Sequence, residues 1–183
     1  MIIKGKDKWI TFNIYMMLLV SIVGFYIFIS EYIINKDYEF YYLLFLAICI
    51  YFCIAVYYGF KTLNNISIKI EGKSLIIYQF EKTRFNIKKV FLYPYCSNRY
   101  GKMRIPTYHE INLNNIMEYG FVSELSKEFK NNVKFNIGFI DKDKNKCFID
   151  LKQFKDEEVF ELLKEVKHIT KKEPVGRLKD VIR

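Results

Sequence analysis

Two long stretches of this chain lack any charged residue: Trp9–Ser30 and Phe40–Phe60. Histidine is scarce, with only His109 and His168, and there is a single tryptophan. The four cysteines include no C-x-x-C pair. That excludes a disulfide framework and a recognisable zinc site, and leaves reduced, structural thiols as the expectation. Glycine-rich phosphate loops, H-E-x-x-H and G-x-S-x-G are all missing. Nucleotide-binding, zinc-peptidase and serine-hydrolase chemistry therefore lack their usual signatures. No catalytic residue, cofactor or metal is expected, and the chain reads as a non-enzyme.

What is present is segregated. Hydrophobic residues make up 51% of the 183, yet mean hydropathy is zero. Each uncharged run exceeds the roughly 18 residues a helix needs to cross about 30 Å of hydrocarbon. A second span follows the first at once, and no small-x-small cleavage site separates them, which argues against a signal peptide. The spacing predicts a cytoplasmic segment 1–8, transmembrane helices at 9–30 and 40–60, and a short external loop at 31–39. Lys4, Lys6 and Lys8 precede the first span and Lys61 follows the second, whereas the loop holds Glu31, Asp37 and Glu39 against Lys36. The positive-inside rule then places both termini in the cytoplasm of a plasma-membrane protein. No ionisable group lies within either span, so a transport pathway built from this chain alone is disfavoured. Gly24, Cys49 and Cys53 are read as small helix-packing residues, and Asn13 and Ser21 as polar groups met by backbone or a neighbouring helix.

Net charge is +9, and the first 60 residues sum to zero. The excess lies beyond them, most densely in Lys82, Arg84, Lys88, Lys89, Arg99, Lys102 and Arg104, a stretch with no acidic residue. Phe85, Phe91, Tyr93, Tyr95 and Tyr100 are interleaved with them. Three readings compete for this segment. It contacts anionic phospholipid headgroups, at about 1 kcal/mol per charge near the surface; it binds an acidic protein partner; or it is a solvated edge kept from pairing by lysine. Single-stranded nucleic acid suits the same composition, but no nucleic-acid module is recognisable and none is expected to bind.

The soluble region, 61–172, reads as mostly β. Ile66, Ile68 and Ile70 alternate, Glu71–Ser74 is a turn, and Leu75–Phe80 resumes the strand. Phe85–Leu92 also alternates and is expected to be a strand ended by Pro94, and Ile111–Met117 a further short strand. Val122–Phe129 is ambiguous. Val133, Phe135, Ile137 and Phe139 alternate, Asp141–Asn145 turns, and Cys147, Ile149 and Leu151 complete a second hairpin. Asp141 and Asp143 lack the glycine and glutamate of a calcium loop, so a plain turn is expected. The period then changes: Val159, Leu162, Leu163 and Val166 predict an amphipathic helix from about Glu157 to Thr170, with Asp156 as N-cap and Pro174 beyond its end. The tail 173–183 reads as a short amphipathic or disordered end. The fold class expected is a membrane α-hairpin plus an α+β domain, a bent antiparallel sheet or partly open barrel capped by a C-terminal helix.

Three stretches carry a resemblance. Ile68–Ile77 looks like the opening hairpin of pleckstrin-homology-like (PH-like) domains, Ile111–Ile116 is similar to their strand leading into a short Ile-bearing turn, and Phe135–Val166 looks like their closing hairpin and helix. The order resembles small bacterial membrane proteins in which a two-span hairpin precedes a cytoplasmic PH-like domain. The resemblance implies a scaffold that binds proteins or lipids, and no catalytic residues. The leading expectation is thus a membrane-anchored adaptor or assembly subunit of a membrane machine, with protein partners or as a homo-oligomer. The alternative is an anionic-phospholipid-binding module that uses residues 82–104. A third and weaker reading is an enzyme with a site near His109.

Overall fold

The computed structural model describes residues 1–36, 40–84, 87–96, 98–99, 102–125 and 136–182. In chain order its elements are β1 (Ile2–Lys4), α1 (Lys8–Phe28), α2 (Phe40–Asn65), β2 (Ser67–Glu71), β3 (Ser74–Arg84), α3 (Ile87–Leu92), β4 (Asn98–Arg99), β5 (Lys102–Asn112), β6 (Ile116–Phe121), β7 (Ile137–Asp141), β8 (Lys146–Ile149), α4 (Asp156–Thr170) and α5 (Leu178–Val181). The chain divides into two compact units. One comprises Met1–Lys6, Asn65–Glu81 and Pro106–Arg183, and the other Asp7–Asn64 and Lys82–Ile105. Two long apolar helices are thus joined in sequence to an α+β region.

The helical unit begins at a cap. Asp7 has extended backbone, and its Oδ1 accepts from the N–H groups of Trp9 and Ile10, each at 3.1 Å. Those bonds satisfy two of the donors that a helix start leaves open. α1 continues into a π-helical turn, Ile29–Ile34, where Asn35 N–H reaches Ser30 O at 3.1 Å. The first four residues of the expected external loop, 31–34, are therefore helical. α2 also outlasts its uncharged run, ending at Asn65 rather than residue 60. Both helices are long and apolar enough to cross a membrane, and only 17% and 22% of their most apolar windows are buried. A soluble core helix would bury most of such a window.

Small residues let these helices meet. A methyl group at Gly24 would overlap Cys49 Sγ and stand 3.2 Å from the Phe45 ring; one at Gly59 would stand 2.8 Å from Ile14 Cδ1. Gly24 lies ten residues beyond Ile14, and Gly59 ten beyond Cys49, so the two contacts share one antiparallel register. Ser21 Oγ donates to Met17 O at 2.9 Å, which settles one polar side chain within the helix itself.

The rest of this unit, residues 82–105, departs from expectation. The alternation across Phe85–Leu92 predicts a strand, but Ile87–Leu92 is helical. The reason is tertiary: Tyr51 Oη donates to Phe91 O at 2.7 Å, and α2 thereby fixes the end of α3. A turn through Pro94 follows, closed by Cys96 N–H to Tyr93 O at 2.9 Å. Tyr95 is fully buried. Its carbonyl accepts from Asn13 Nδ2 at 3.1 Å, its hydroxyl lies 3.2 Å from Thr62 Oγ1, and its ring lies against Gly59.

The α+β unit holds two antiparallel sheets. In the first, β1, β2, β3 and β5 are neighbours in that order. β1 pairs Ile2↔Lys69, Ile3↔Ile68 and Lys4↔Ser67, and Gly5 and Lys6 extend the attachment through bonds to Ile66 O and Gln153 O. β2 and β3 form the expected hairpin, with Glu71 opposite Ser74 and Gly72 at φ +58° in the turn. The second sheet is a meander, β6-β7-β8. Its tight turn is closed by Asp141, whose carboxylate accepts from Asn145 N–H and Nδ2 at 2.8 and 2.9 Å. Ile111–Met117 is not one strand. β5 ends at Asn112, a 3-10 turn spans Leu113–Asn115, and β6 begins at Ile116. Val133 and Phe135, expected to lead into β7, and residues 126–129 of the ambiguous stretch lie outside the described residues.

α4 buries Val159, Leu162, Leu163 and Val166 completely, the stripe its spacing predicts. Asp156 is its first helical residue rather than its N-cap, a place taken by Lys155. The acidic first turn Asp156, Glu157 and Glu158 still complements the helix dipole. The helix stops at Lys171, which adopts φ +54° ahead of Pro174. Residues 173–182 of the tail pack onto the α+β unit. Val175 N–H bonds to Tyr119 O at 2.8 Å, Arg177 Nε reaches Glu124 Oε1 at 2.6 Å, and α5 buries Leu178.

Candidate functional site

All seven basic residues of the predicted patch fall in the helical unit with α1 and α2. Lys82 is exposed at the end of β3, and Lys88 and Lys89 are exposed and half-buried on α3. Arg84, Arg99 and Lys102 lie on β3, β4 and β5; their side chains are outside the described residues. Phe85 and Tyr100 are outside them altogether. Beside Lys88 and Lys89, Phe91 and Leu92 are 68% and 70% exposed, a paired apolar protrusion on a six-residue helix.

Arg104 has a different role from its neighbours. Its Nη1 lies 2.7 Å from Asp7 Oδ2, and the carboxylate side chain is only 2% exposed. The same carboxylate thus caps α1 and holds the strand that returns from the basic segment. Cys96 is buried nearby. Burial and then the Asp7 carboxylate push its thiol up to about 12, against an opposing pull from Arg104. A thiol so raised is a poor nucleophile. Gly24 and Cys49 face each other across the hairpin, and Cys53 is half-buried and free.

In the α+β unit, His109 does not pair with its neighbour Glu110. His109 Nε2 lies 2.7 Å from Glu81 Oε1, while Glu110 accepts from the Tyr108 hydroxyl at 3.1 Å. A cleft of about 170 Å³ opens here, lined by His109, Glu110, Asp141, Asn145, Lys146 and Cys147 among others. Burial, then the carboxylates of Glu81 and Asp141, push the Cys147 thiol well above its ordinary value. Among the described residues no cluster of His, Cys, Asp and Glu is arranged to hold a metal ion.

The Glu81–His109 pair has a definite pH signature. Its hydrogen bond to Glu81 raises His109 above 6.5, with burial opposing. Burial alone would raise Glu81; the bonds from His109 and Gln79 outweigh it and bring the carboxyl below 4.5. The histidine contribution is complete below pH 6.5 and is lost as pH rises through the raised value. The glutamate contribution is complete above pH 4.5 and is lost as pH falls through the lowered value. Thermal unfolding followed against pH is therefore expected to show greatest stability from the pair between these limits, and Glu81→Gln to flatten the alkaline limb. An unchanged limb in that variant would remove the assignment.

Sequence reasoning missed Asp7, Glu81, Tyr51 and Tyr95 as organising residues. Each acts through a partner remote in the chain, and no local pattern announces such pairs. No protein-family description, no curated protein and no solved structure matches this chain.

Proposed function

We propose that this chain is an integral membrane protein anchored by a two-span hairpin, with both termini in the cytoplasm. Its basic segment contacts the anionic inner leaflet, and its PH-like α+β unit is a non-enzymatic surface for partner proteins. The observation that carries the reading is the grouping of residues 82–105 with the two apolar helices. Besides Arg104, which pairs with Asp7, six basic residues of a stretch with no acidic residue belong to the unit that a bilayer would surround. That favours lipid over a solvated edge as the partner of the patch.

The β1–β2 pairing supports the topology independently of charge. β1 precedes α1 and β2 follows α2, yet they share three residue pairs. Two strands of one sheet lie on one side of any membrane that the intervening helices cross. The lysines before and after the spans make that side the cytoplasm. The PH-like reading is supported by strand order, one antiparallel sheet followed by a three-stranded meander and a C-terminal helix. Exposed Tyr108 and Met117 offer apolar contact area on this unit, which favours the adaptor role. The raised Cys147 thiol is a poor nucleophile, which disfavours thiol chemistry in the cleft.

The test uses the full chain in nanodiscs of phosphatidylcholine and phosphatidylglycerol, with native mass spectrometry of the lipids retained. Replacing Lys88 and Lys89 with Gln is expected to weaken retention of the anionic lipid by up to about thirtyfold, from about 1 kcal/mol for each of the two charges. Equal retention by both proteins would sink the lipid reading. The adaptor reading predicts a co-purifying protein in mild detergent, and recovery only as a lone monomer would count against it.

A further inference from the structure

We infer that α3 and the turn after it, residues 87–95, form a re-entrant element seated in the hydrocarbon of the inner leaflet, deeper than headgroup contact requires. The inference rests on the reading that α1 and α2 span a bilayer. Depth is set by the Tyr51–Phe91 hydrogen bond. Tyr51 stands beside the midpoint of the uncharged run Phe40–Phe60, ten residues short of Lys61. At 1.5 Å per residue that is about 15 Å, roughly half the hydrocarbon thickness. Gly59 and Thr62, which meet Tyr95, lie nearer the inner end. The segment therefore descends to Phe91 and climbs back by Tyr95.

Non-helical backbone at that depth must find its hydrogen bonds within the protein. Here it does so at the places that matter. Phe91 O accepts from Tyr51 Oη, Tyr95 O accepts from Asn13 Nδ2, Tyr93 N–H reaches Lys89 O, and Cys96 N–H reaches Tyr93 O. Asn13 thereby gains a purpose within an apolar helix: its amide holds the turn at Tyr95. Phe91 and Leu92, by contrast, are left uncovered by protein. Acyl chains are the surroundings in which two adjacent large apolar side chains belong. Lys88 and Lys89 stand one turn from them, and their long stems let the ammonium groups reach up toward the phosphates.

Depth-dependent quenching tests this in the full chain. With Trp9→Phe as background, a single tryptophan is placed at Phe91, at Tyr26 on α1, or at Tyr108 on the α+β unit. Each protein is reconstituted in vesicles whose lipids carry bromine either within the acyl chains or near the headgroups. Phe91→Trp is expected to lose most fluorescence to acyl-chain bromine, as does Tyr26→Trp, while Tyr108→Trp loses none. Adding Tyr51→Phe is expected to shift the Phe91→Trp quenching toward the headgroup position. If Tyr26→Trp is quenched by acyl-chain bromine and Phe91→Trp only by headgroup bromine, the re-entrant element is wrong and leaflet contact stands. If Phe91→Trp is quenched by neither, leaflet contact fails too. If Tyr26→Trp escapes quenching as well, the membrane-spanning reading falls.

Discussion

Arg104→Ala is expected to destabilise the protein by about 3 kcal/mol, the lower end of what removing one partner of a buried ion pair costs. Its partner, Asp7, is only 2% exposed and would keep a buried charge with two backbone N–H donors and no cation at 2.7 Å. Those two donors are why the lower end applies. Asn caps helices about as well as Asp, so Asp7→Asn introduced into Arg104→Ala is expected to recover part of the loss by removing the stranded charge. The measurement is thermal unfolding of the two single variants and the double variant in one detergent. The result also sorts Arg104 from the other basic residues of its segment. A headgroup ligand would cost anionic-lipid retention and little stability when removed; additive losses in the double variant would favour that role over the pair.

Gln153→Leu is expected to cost a similar amount, about 3 kcal/mol, for a different reason. Gln153 Oε1 accepts from Phe80 N–H at 2.8 Å, and its Nε2 donates to Phe80 O at 2.7 Å and to Asp150 Oδ2 at 3.1 Å. The side chain acts as a short strand partner for β3 at a residue with no solvent exposure. Leucine leaves both backbone groups unpaired, and each buried unpaired group costs about 1–3 kcal/mol. Gln79 makes the reciprocal tie: its Nε2 donates to Phe148 O at 2.6 Å and its Oε1 accepts from Asp150 N–H at 2.9 Å. Two glutamines thus join β3 of the first sheet to the end of the meander. A fall of roughly 10 °C in the unfolding midpoint is expected for Gln153→Leu. A shift within error would mean that water replaces the lost bonds.

Local pattern made some of this architecture readable and left the rest hidden. The apolar helices, the β2–β3 and β7–β8 hairpins and α4 rest on near-neighbour chemistry: uncharged length, alternation around Gly72 or Asp141, and the stripe from Val159 to Val166. β1 could not be read, because three residues acquire strand identity only from Ile68 and its neighbours across the sheet. α3 reads as a strand because Phe85, Ile87 and Phe91 alternate, and it is a helix because Tyr51 and Tyr95 tie the segment to the hairpin. Within the candidate site, the charge of residues 82–104 was plain in the sequence. That Arg104 belongs to Asp7, and His109 to Glu81, was not, since no spacing rule connects them.

Topology tests the central claim most directly. Asn35 is exposed at the far end of α1, and Lys155 is exposed at the start of α4. A membrane-impermeant maleimide applied to intact cells is expected to label Asn35→Cys at once and Lys155→Cys only after permeabilisation. Labelling of Lys155→Cys from outside, or protection of Asn35→Cys until the membrane is opened, would contradict a hairpin with both ends in the cytoplasm. The leaflet contact proposed for residues 82–105 would then have to be abandoned with it.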